Sequence, residues 1–293
     1  MSESVALKPI SLADFVVLTK PRITFLCLIM TLGGMGLVPG PMNLQRVFWT
    51  LLGTALSVGS ANALNMVWER ESDKLMKRTR ARPLPSGRMN PRDALVFGIT
   101  LGILSVVVLA LQVNVLTAFL GLFALLGYVL VYTPLKRRSP HALIIGAIPG
   151  AMPPLMGWTA VTGSITAPGF LLFLVLLVWQ IPHFIAISLY FKEDYKNAGI
   201  QTLPIVRGDK NAKLQALAYS FALIPLSLMF VSLGVAGYVY AVVALGLGIW
   251  FVALSAQGLR PESGSRWARK FFLASLVYLP ALTLGLLVDL VLK

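Results

Sequence analysis

The stretch that decides the fold is residues 47–92, VFWTLLGTALSVGSANALNMVWERESDKLMKRTRARPLPSGRMNPR. Residues 47–67 contain no charged side chain, whereas residues 68–92 carry eight Lys or Arg together with Glu69, Glu71 and Asp73. An α-helix needs about 20 mainly apolar residues to cross the hydrocarbon core of a bilayer. The stretch therefore predicts a membrane-spanning helix that runs into a loop rich in charge.

Long apolar runs of the same kind recur along the whole chain. Of its 293 residues, 57% are hydrophobic and only 12% are charged, whereas a soluble domain has about 25% charged residues. We predict an all-α polytopic membrane protein, a single domain over residues 1–293 with nine transmembrane helices around a central cavity. The predicted spans are 22–39, 47–67, 93–112, 115–132, 141–161, 168–189, 212–233, 236–256 and 268–290, and a short interfacial helix is expected over 11–19.

The basic residues indicate how the chain is oriented. Of the 25 Lys and Arg residues, 23 lie in the N-terminal segment or in every second loop, and the intervening loops are nearly uncharged. Cytoplasmic loops carry the excess of Lys and Arg in membrane proteins, so the pattern predicts a cytoplasmic N-terminus. The net charge of +14 does not indicate nucleic-acid binding, because the cations lie between apolar runs and form no single basic face. The partner that this pattern implies is the lipid bilayer.

The first acidic loop, residues 65–92, carries a stripe of oxygen ligands. Asn65, Glu69 and Asp73 are spaced by four, so on a continuing helix they share one face. Oxygen ligands of this kind suit Mg²⁺, which typically binds one or two carboxylates together with substrate phosphates. The alternative is a solvated helix end stabilised by ion pairs. A second stripe with the same spacing, rotated by about 100°, consists of cations: Arg70, Lys74 and Arg78.

A second acidic loop, residues 190–211, follows the sixth predicted helix on the same side. His183 lies about two turns inside that helix and eleven residues before Asp194, which predicts that both share one face if the helix continues. An ionisable residue inside a membrane is a functional candidate, and imidazole is a haem ligand and an acid or base. The alternative is a packing histidine bonded to a carbonyl that Pro182 frees. In the fifth helix, the prolines of residues 149–158 predict a break, which favours a cavity.

These motifs together resemble the UbiA-type intramembrane prenyltransferases, and among them the branch that farnesylates haem. The resemblance covers both acidic loops and several helices. The segments that carry it are Lys20–Thr24, Asn65–Pro85, Tyr132–Arg138, Gly150–Trp158, Trp179–Phe184, Asp194–Gly199 and Leu203-Pro204. The sequence departs from the usual Asp-rich pattern at Glu69 and Glu71, and in the second loop Asp194 is the one close match.

The resemblance implies a prenyltransferase that moves a farnesyl group from farnesyl diphosphate to a vinyl group of haem B, giving haem O and diphosphate. Mg²⁺ is then the cofactor and haem B a substrate. The implied location is the inner cell membrane with the active site towards the cytoplasm, and a downstream haem-processing enzyme is an implied partner. The implied catalytic residues are Asn65, Glu69, Asp73, His183 and Asp194. All of these except His183 are implied metal ligands, and His183 is implied to bind haem. The implied diphosphate ligands are Arg22, Arg70, Lys74, Arg78, Arg82, Lys136 and Arg207.

Two other functions remain open at this stage. One is a prenyltransferase of the same type that acts on an aromatic quinone precursor, against which His183 and residues 76–79 argue. The other is a membrane transporter, which would place charges deep in several helices. Here most acids lie in or beside the two loops on one face.

Overall fold

Residues 11–292 are described by a computed structural model, and every regular element in that range is helical. A π-helical turn, Gly127–Tyr132, lies between α5 and α6. The α-helices are α1 (Leu12–Leu18), α2 (Pro21–Gly36), α3 (Leu44–Lys74), α4 (Pro91–Gln112), α5 (Val115–Leu126), α6 (Thr133–Leu135), α7 (Ala142–Gly150), α8 (Met152–Thr162), α9 (Ala167–Tyr190), α10 (Lys192–Asn197), α11 (Leu203–Ser232), α12 (Tyr238–Gln257) and α13 (Ser265–Leu292).

The helices match the predicted pattern of spans. Within residues 11–292, eight helical stretches are long and apolar enough to cross a membrane, with α5–α6 and α7–α8 each counted as one. The pair α1 and α2, bent by 51°, supplies the ninth when it is taken as one span. The helix at the predicted span 22–39 is shorter than expected. Helix α2 has 16 residues and rises about 24 Å, which is less than the hydrocarbon thickness of about 30 Å.

The break predicted in the fifth helix is confirmed. Helix α7 ends at Gly150 and α8 begins at Met152, because the prolines that follow cannot donate backbone hydrogen bonds to the preceding turn. The Ala147 carbonyl accepts a hydrogen bond from the side-chain amide of Gln180, 3.1 Å away. A polar side chain from α9 thus binds a backbone carbonyl at the break.

Two cavities, of about 460 and 360 Å³, are lined largely by half-exposed and exposed side chains. They are therefore not the predicted central cavity, which stays a prediction.

The close packing of α2 against α8 depends on two glycines. A Cβ at Gly34 of α2 would collide with the Pro154 carbonyl of α8, and a Cβ at Gly157 would collide with the Thr31 carbonyl. The backbones of α2 and α8 therefore touch. Small residues at such crossings let membrane helices approach closely.

Both acidic loops differ in detail from the predicted boundaries. Helix α3 continues to Lys74, seven residues past the predicted span, so that Asn65, Glu69 and Asp73 do share one helix. The second loop is largely helical: it contains α10 and residues 203–211 of α11, which bends at Gly208, where φ is 79°. These two regions meet in a small apolar cluster that packs Met76 against Tyr195, Ala198 and Ile200.

Candidate active site

The stripe on α3 points into the protein. The Asn65 and Asp73 side chains are buried, at 1% exposure each, and the Glu69 side chain is 14% exposed. Such polar groups are costly to bury unless they are paired. The solvated helix end considered above is therefore wrong for these three residues.

Each residue of the stripe is paired with a cation from another element. Lys20 Nζ donates to Asn65 Oδ1 at 3.0 Å, Lys136 Nζ lies 2.7 Å from Glu69 Oε1, and Arg82 Nη1 lies 2.7 Å from Asp73 Oδ2. Three basic side chains thus face two carboxylates. Burial, together with the nearby Arg82 charge, lowers the pKa of Lys20 to about 7, so an anion such as a diphosphate would hold Lys20 in its charged form and bind to all three.

Lys136 joins the two acidic loops. Its ammonium also lies 4.5 Å from the centroid of the Tyr132 ring, and its backbone carbonyl accepts a hydrogen bond from the Gln201 N–H at 2.9 Å. Burial lowers the pKa of Lys136, but the nearby Tyr132 and Glu69 raise it by more. The resulting pKa lies well above the usual value for a lysine. Lys136 therefore stays charged at neutral pH and links the first acidic motif to the second loop.

The donor set of α3 fits a hard cation. Asp73 Oδ1 is buried and has no hydrogen-bond partner within residues 11–292, although its other oxygen is bound by Arg82. An unsatisfied buried carboxylate oxygen is costly, and a divalent cation would satisfy it. Among the described residues, no three Asp, Glu, His or Cys side chains converge on one point. A metal would therefore rest on the Asn65 amide and on substrate oxygens as well as on carboxylates.

Asp194 lies on α10, next to Tyr195, one of the residues that pack against Met76. Its side chain is half-buried, and no salt bridge is found for it in the part of the chain that the structure describes. The expected common face of His183 and Asp194 is wrong. Helix α9 ends at Tyr190, and Phe191, with φ −104° and ψ 31°, separates it from α10.

The predicted diphosphate ligands separate into two groups. Arg82 and Lys136 belong to the cluster, whereas the five others are exposed or half-exposed and have partners outside it or none among the described residues. The predicted stripe of cations is interrupted because α3 ends at Lys74. The positions of the five are as follows: Arg22 is exposed on α2, Arg70 and Lys74 pair with Glu71, Arg78 lies over the Phe191 ring, and Arg207 contacts His141.

Lys20 is the functional candidate that was missed at the sequence level. It lies between α1 and α2 with φ 48°, and it is the only non-glycine residue with a positive φ in the described range. That conformation is costly for a residue with a Cβ, and it coincides with the contact to Asn65. The available signal was the Lys20-Pro21 pair, since a proline favours helix initiation at N1 and leaves the preceding side chain at the helix start.

His183 lies on α9 against α13, in an aromatic environment. Its ring stacks on Trp179, with centroids 4.8 Å apart, and contacts the Phe272 ring at 5.2 Å. His183 Nδ1 lies 2.7 Å from Ser275 Oγ, while the Ser275 hydroxyl donates to the Phe272 carbonyl at 2.6 Å. Because that hydroxyl has one proton, Ser275 must accept from Nδ1–H. The assigned tautomer thus leaves a lone pair on Nε2.

A protein-family model matches most of the chain. Residues 27–276 match the model of the UbiA prenyltransferase family. The chain belongs to this family. It is therefore an integral membrane prenyltransferase, and its all-helical architecture is the one that the resemblance implied.

Curated relatives match almost the entire chain. The protoheme IX farnesyltransferase of Myxococcus xanthus is 51% identical over 281 residues, covering 96% of each chain. That of Sorangium cellulosum is 54% identical over 238 residues, covering 81% of this chain and 85% of the relative. That of Aquifex aeolicus is 42% identical over 293 residues, covering 99% of this chain and 100% of the relative.

Solved structures show the same fold. A digeranylgeranylglyceryl phosphate synthase aligns with a TM-score of 0.81 at 21% identity, over 95% of this chain and 98% of that chain. A UbiA homologue from Archaeoglobus fulgidus bound to GPP and Mg²⁺ aligns with a TM-score of 0.67 at 15% identity, over 93% of this chain and 99% of that chain. At these identities the likeness concerns the fold alone.

Proposed function

We propose that this chain transfers a farnesyl group from farnesyl diphosphate to a vinyl group of haem B, giving haem O and diphosphate. The names of relatives that are 42–54% identical support the acceptor and the donor. The observation that carries the proposal is the buried cluster in which three cations surround the Asn65–Glu69–Asp73 stripe. A diphosphate needs such a site, and a transporter does not.

The cluster is suited to the departure of diphosphate. Mg²⁺ held by Asn65, Glu69 and Asp73, with Asp194 from the second loop, would neutralise charge on the leaving group. Lys20, Arg82 and Lys136 would hold the phosphate oxygens that are not bound to Mg²⁺. As the C–O bond breaks, its electron pair passes to the diphosphate, and these fixed cations stabilise the charge that develops. The five cations around the cluster, at positions 22, 70, 74, 78 and 207, attract the anion before it binds.

The acceptor half of the reaction is assigned to α9 and α13. The vinyl group of haem attacks the farnesyl cation, water adds to the resulting haem cation, and loss of a proton leaves a hydroxyl group. We assign His183 as the haem ligand, because its Nε2 lone pair is free in the tautomer set by Ser275. The Trp179 and Phe272 rings beside it offer flat apolar surface to a porphyrin.

The proposed setting follows from the charge pattern. The acidic loops lie on the side of the chain that carries 23 of the 25 Lys and Arg residues, so they belong on the cytoplasmic side of the inner cell membrane. A water-insoluble haem product suits direct transfer to a downstream haem-processing enzyme in the same membrane.

The test is turnover of haem B, farnesyl diphosphate and Mg²⁺ by the purified chain in detergent, with chromatography for haem O. Wild type should form haem O, and Asp73→Ala should form none. The matched control is Asp209→Asn, an exposed carboxylate paired with Lys192, which should retain activity. Prenylation of an aromatic acid without haem O would replace the acceptor by a quinone precursor. Absence of any prenyl transfer by wild type would refute the proposal.

A further inference from the structure

The side-chain amide of Asn65 is held from both sides by groups that lie far away in the chain. Lys20 Nζ donates to Asn65 Oδ1 at 3.0 Å. On the other side, Asn65 Nδ2 donates to the hydroxyl oxygen of Thr133 at 3.1 Å. The Thr133 hydroxyl in turn donates to the Tyr128 carbonyl at 2.8 Å. A chain of three hydrogen bonds therefore runs from α2 through α3 to the π-helical turn.

Both ends of this chain dictate the same orientation of the amide. The atom that faces Lys20 Nζ is the amide oxygen, which accepts the bond that the amine donates. A backbone carbonyl can only accept, so the Thr133 proton is committed to Tyr128, and the Thr133 oxygen must accept from an N–H. The Thr133 requirement by itself excludes the flipped amide, and the contact with Lys20 agrees with it.

The π-helical turn creates the acceptor that makes this possible. The Tyr128 carbonyl accepts the Thr133 backbone N–H as well as the Thr133 hydroxyl. In an α-helix that carbonyl would instead bond the residue four positions later. The extra residue of the π-turn thus holds both donors of Thr133 on one oxygen, and such turns are frequent at functional sites.

We propose that Thr133 is a positioning residue that fixes Asn65 with its oxygen towards the cation cluster, where it can bind Mg²⁺ and with it the diphosphate. The inference rests on the proposed function, since it names the group that Asn65 is oriented to bind. Thr133 itself contacts the amide nitrogen and not the oxygen that is assigned to Mg²⁺. Partners of this kind typically change metal affinity 10- to 100-fold when they are removed.

The proposal predicts different outcomes for similar substitutions. Thr133→Ser keeps the hydroxyl and should retain wild-type behaviour. Thr133→Val keeps the shape but removes the acceptor, so that the amide can flip and present its NH₂ group. Asn65→Asp should also fail, although aspartate is an ordinary Mg²⁺ ligand, because its second oxygen needs the Thr133 proton, which is already donated to the Tyr128 carbonyl. If position 65 needed only to supply an oxygen atom, Asn65→Asp would keep its Mg²⁺ affinity.

The experiment measures binding and turnover separately. The rise in unfolding temperature on adding MgCl₂ with inorganic diphosphate gives the apparent Mg²⁺ affinity without turnover, and the Mg²⁺ dependence of haem O formation gives the second readout. We expect Thr133→Val to need about 10-fold more Mg²⁺ in both, and Thr133→Ser to stay within about 2-fold of wild type. The matched control is Thr117→Val, a buried threonine whose hydroxyl bonds Thr159, which should not change the Mg²⁺ requirement.

The outcomes separate this inference from the proposed function. Unchanged Mg²⁺ affinity in Thr133→Val, or an equal loss in Thr117→Val, overturns the inference even if wild type makes haem O. If wild type makes no haem O but Thr133→Val still weakens stabilisation by Mg²⁺ and diphosphate, the inference stands and the acceptor assignment fails. If Thr133→Val does not fold, Asn65→Asp is measured in its place. An Asn65→Asp variant with the Mg²⁺ affinity of wild type overturns the inference.

Discussion

The ion pair between Lys136 and Glu69 offers the sharpest test of how the acidic loops are held together. Lys136 Nζ and Glu69 Oε1 are 2.7 Å apart, with the side chains only 18% and 14% exposed. At an effective dielectric constant of about 20, their attraction is about 6 kcal/mol. Desolvation of both ions offsets much of this, and removing one partner of a buried pair costs about 3–5 kcal/mol. We therefore expect Lys136→Met to lower the free energy of unfolding by about 3 kcal/mol.

The second substitution separates stability from chemistry. Glu69→Gln removes the charge that Lys136→Met leaves unpaired, so the double variant should recover most of the loss, with a coupling energy of about 2–3 kcal/mol. Its activity should not recover, because both groups are assigned to the diphosphate site. The assay is a denaturant titration in detergent, followed by the fluorescence of the six tryptophans, alongside haem O formation.

A surface pair provides the matched control. Lys192 and Asp209 are also 2.7 Å apart, but their side chains are 35% and 48% exposed. Exposed pairs contribute about 0–1 kcal/mol, so Lys192→Met should have little effect. If Lys136→Met costs no more than Lys192→Met, or if the double variant loses the sum of both single losses, then burial of the pair does not stabilise the loops and the reasoning is refuted.

Three further predictions concern packing, haem and helix capping. Gly34→Ala should lower the free energy of unfolding by about 1–3 kcal/mol because its Cβ meets the α8 backbone, whereas Gly33→Ala, with no atom within 4 Å of the added Cβ, should stabilise by about 0.5–1 kcal/mol; equal effects in denaturant titrations would contradict this packing. Ser275→Ala should weaken haem binding about 10-fold in Soret titrations, because it releases the His183 tautomer, and unchanged affinity would exclude that role. Asp289→Ala should lower the free energy of unfolding by about 1–2 kcal/mol, because its carboxylate accepts two backbone N–H groups at the start of α12. An unchanged midpoint in denaturant titrations would count against the cap.

Much of the fold followed from local patterns. A run of apolar residues long enough to cross a bilayer is a property of neighbouring positions, and so is the alternation of basic loops. The same holds for the stripe on α3: a spacing of four places Asn65, Glu69 and Asp73 on one face of any helix that contains them. The prolines that interrupt the fifth helix were equally readable, because they remove a donor wherever they stand.

The errors arose where a local rule was extended past a helix end. The cationic stripe of Arg70, Lys74 and Arg78 required α3 to continue, but it ends at Lys74. The common face of His183 and Asp194 required α9 to continue, but it ends at Tyr190. In each case the periodicity was read correctly, and the position of the helix end was not encoded in that periodicity.

By itself, the sequence determined an all-helical membrane bundle, the location of its two acidic loops on the same side of that bundle, and the face of α3 that carries Asn65, Glu69 and Asp73. Only the tertiary structure decided which cation pairs with each of them. Lys20 reaches Asn65 across 45 positions, and Lys136 reaches Glu69 across 67. Such pairs depend on the packing of separate helices, which helical periodicity does not specify. The orientation of the Asn65 amide depends likewise on Thr133 and on a π-helical turn, so it emerges only when three distant segments pack together.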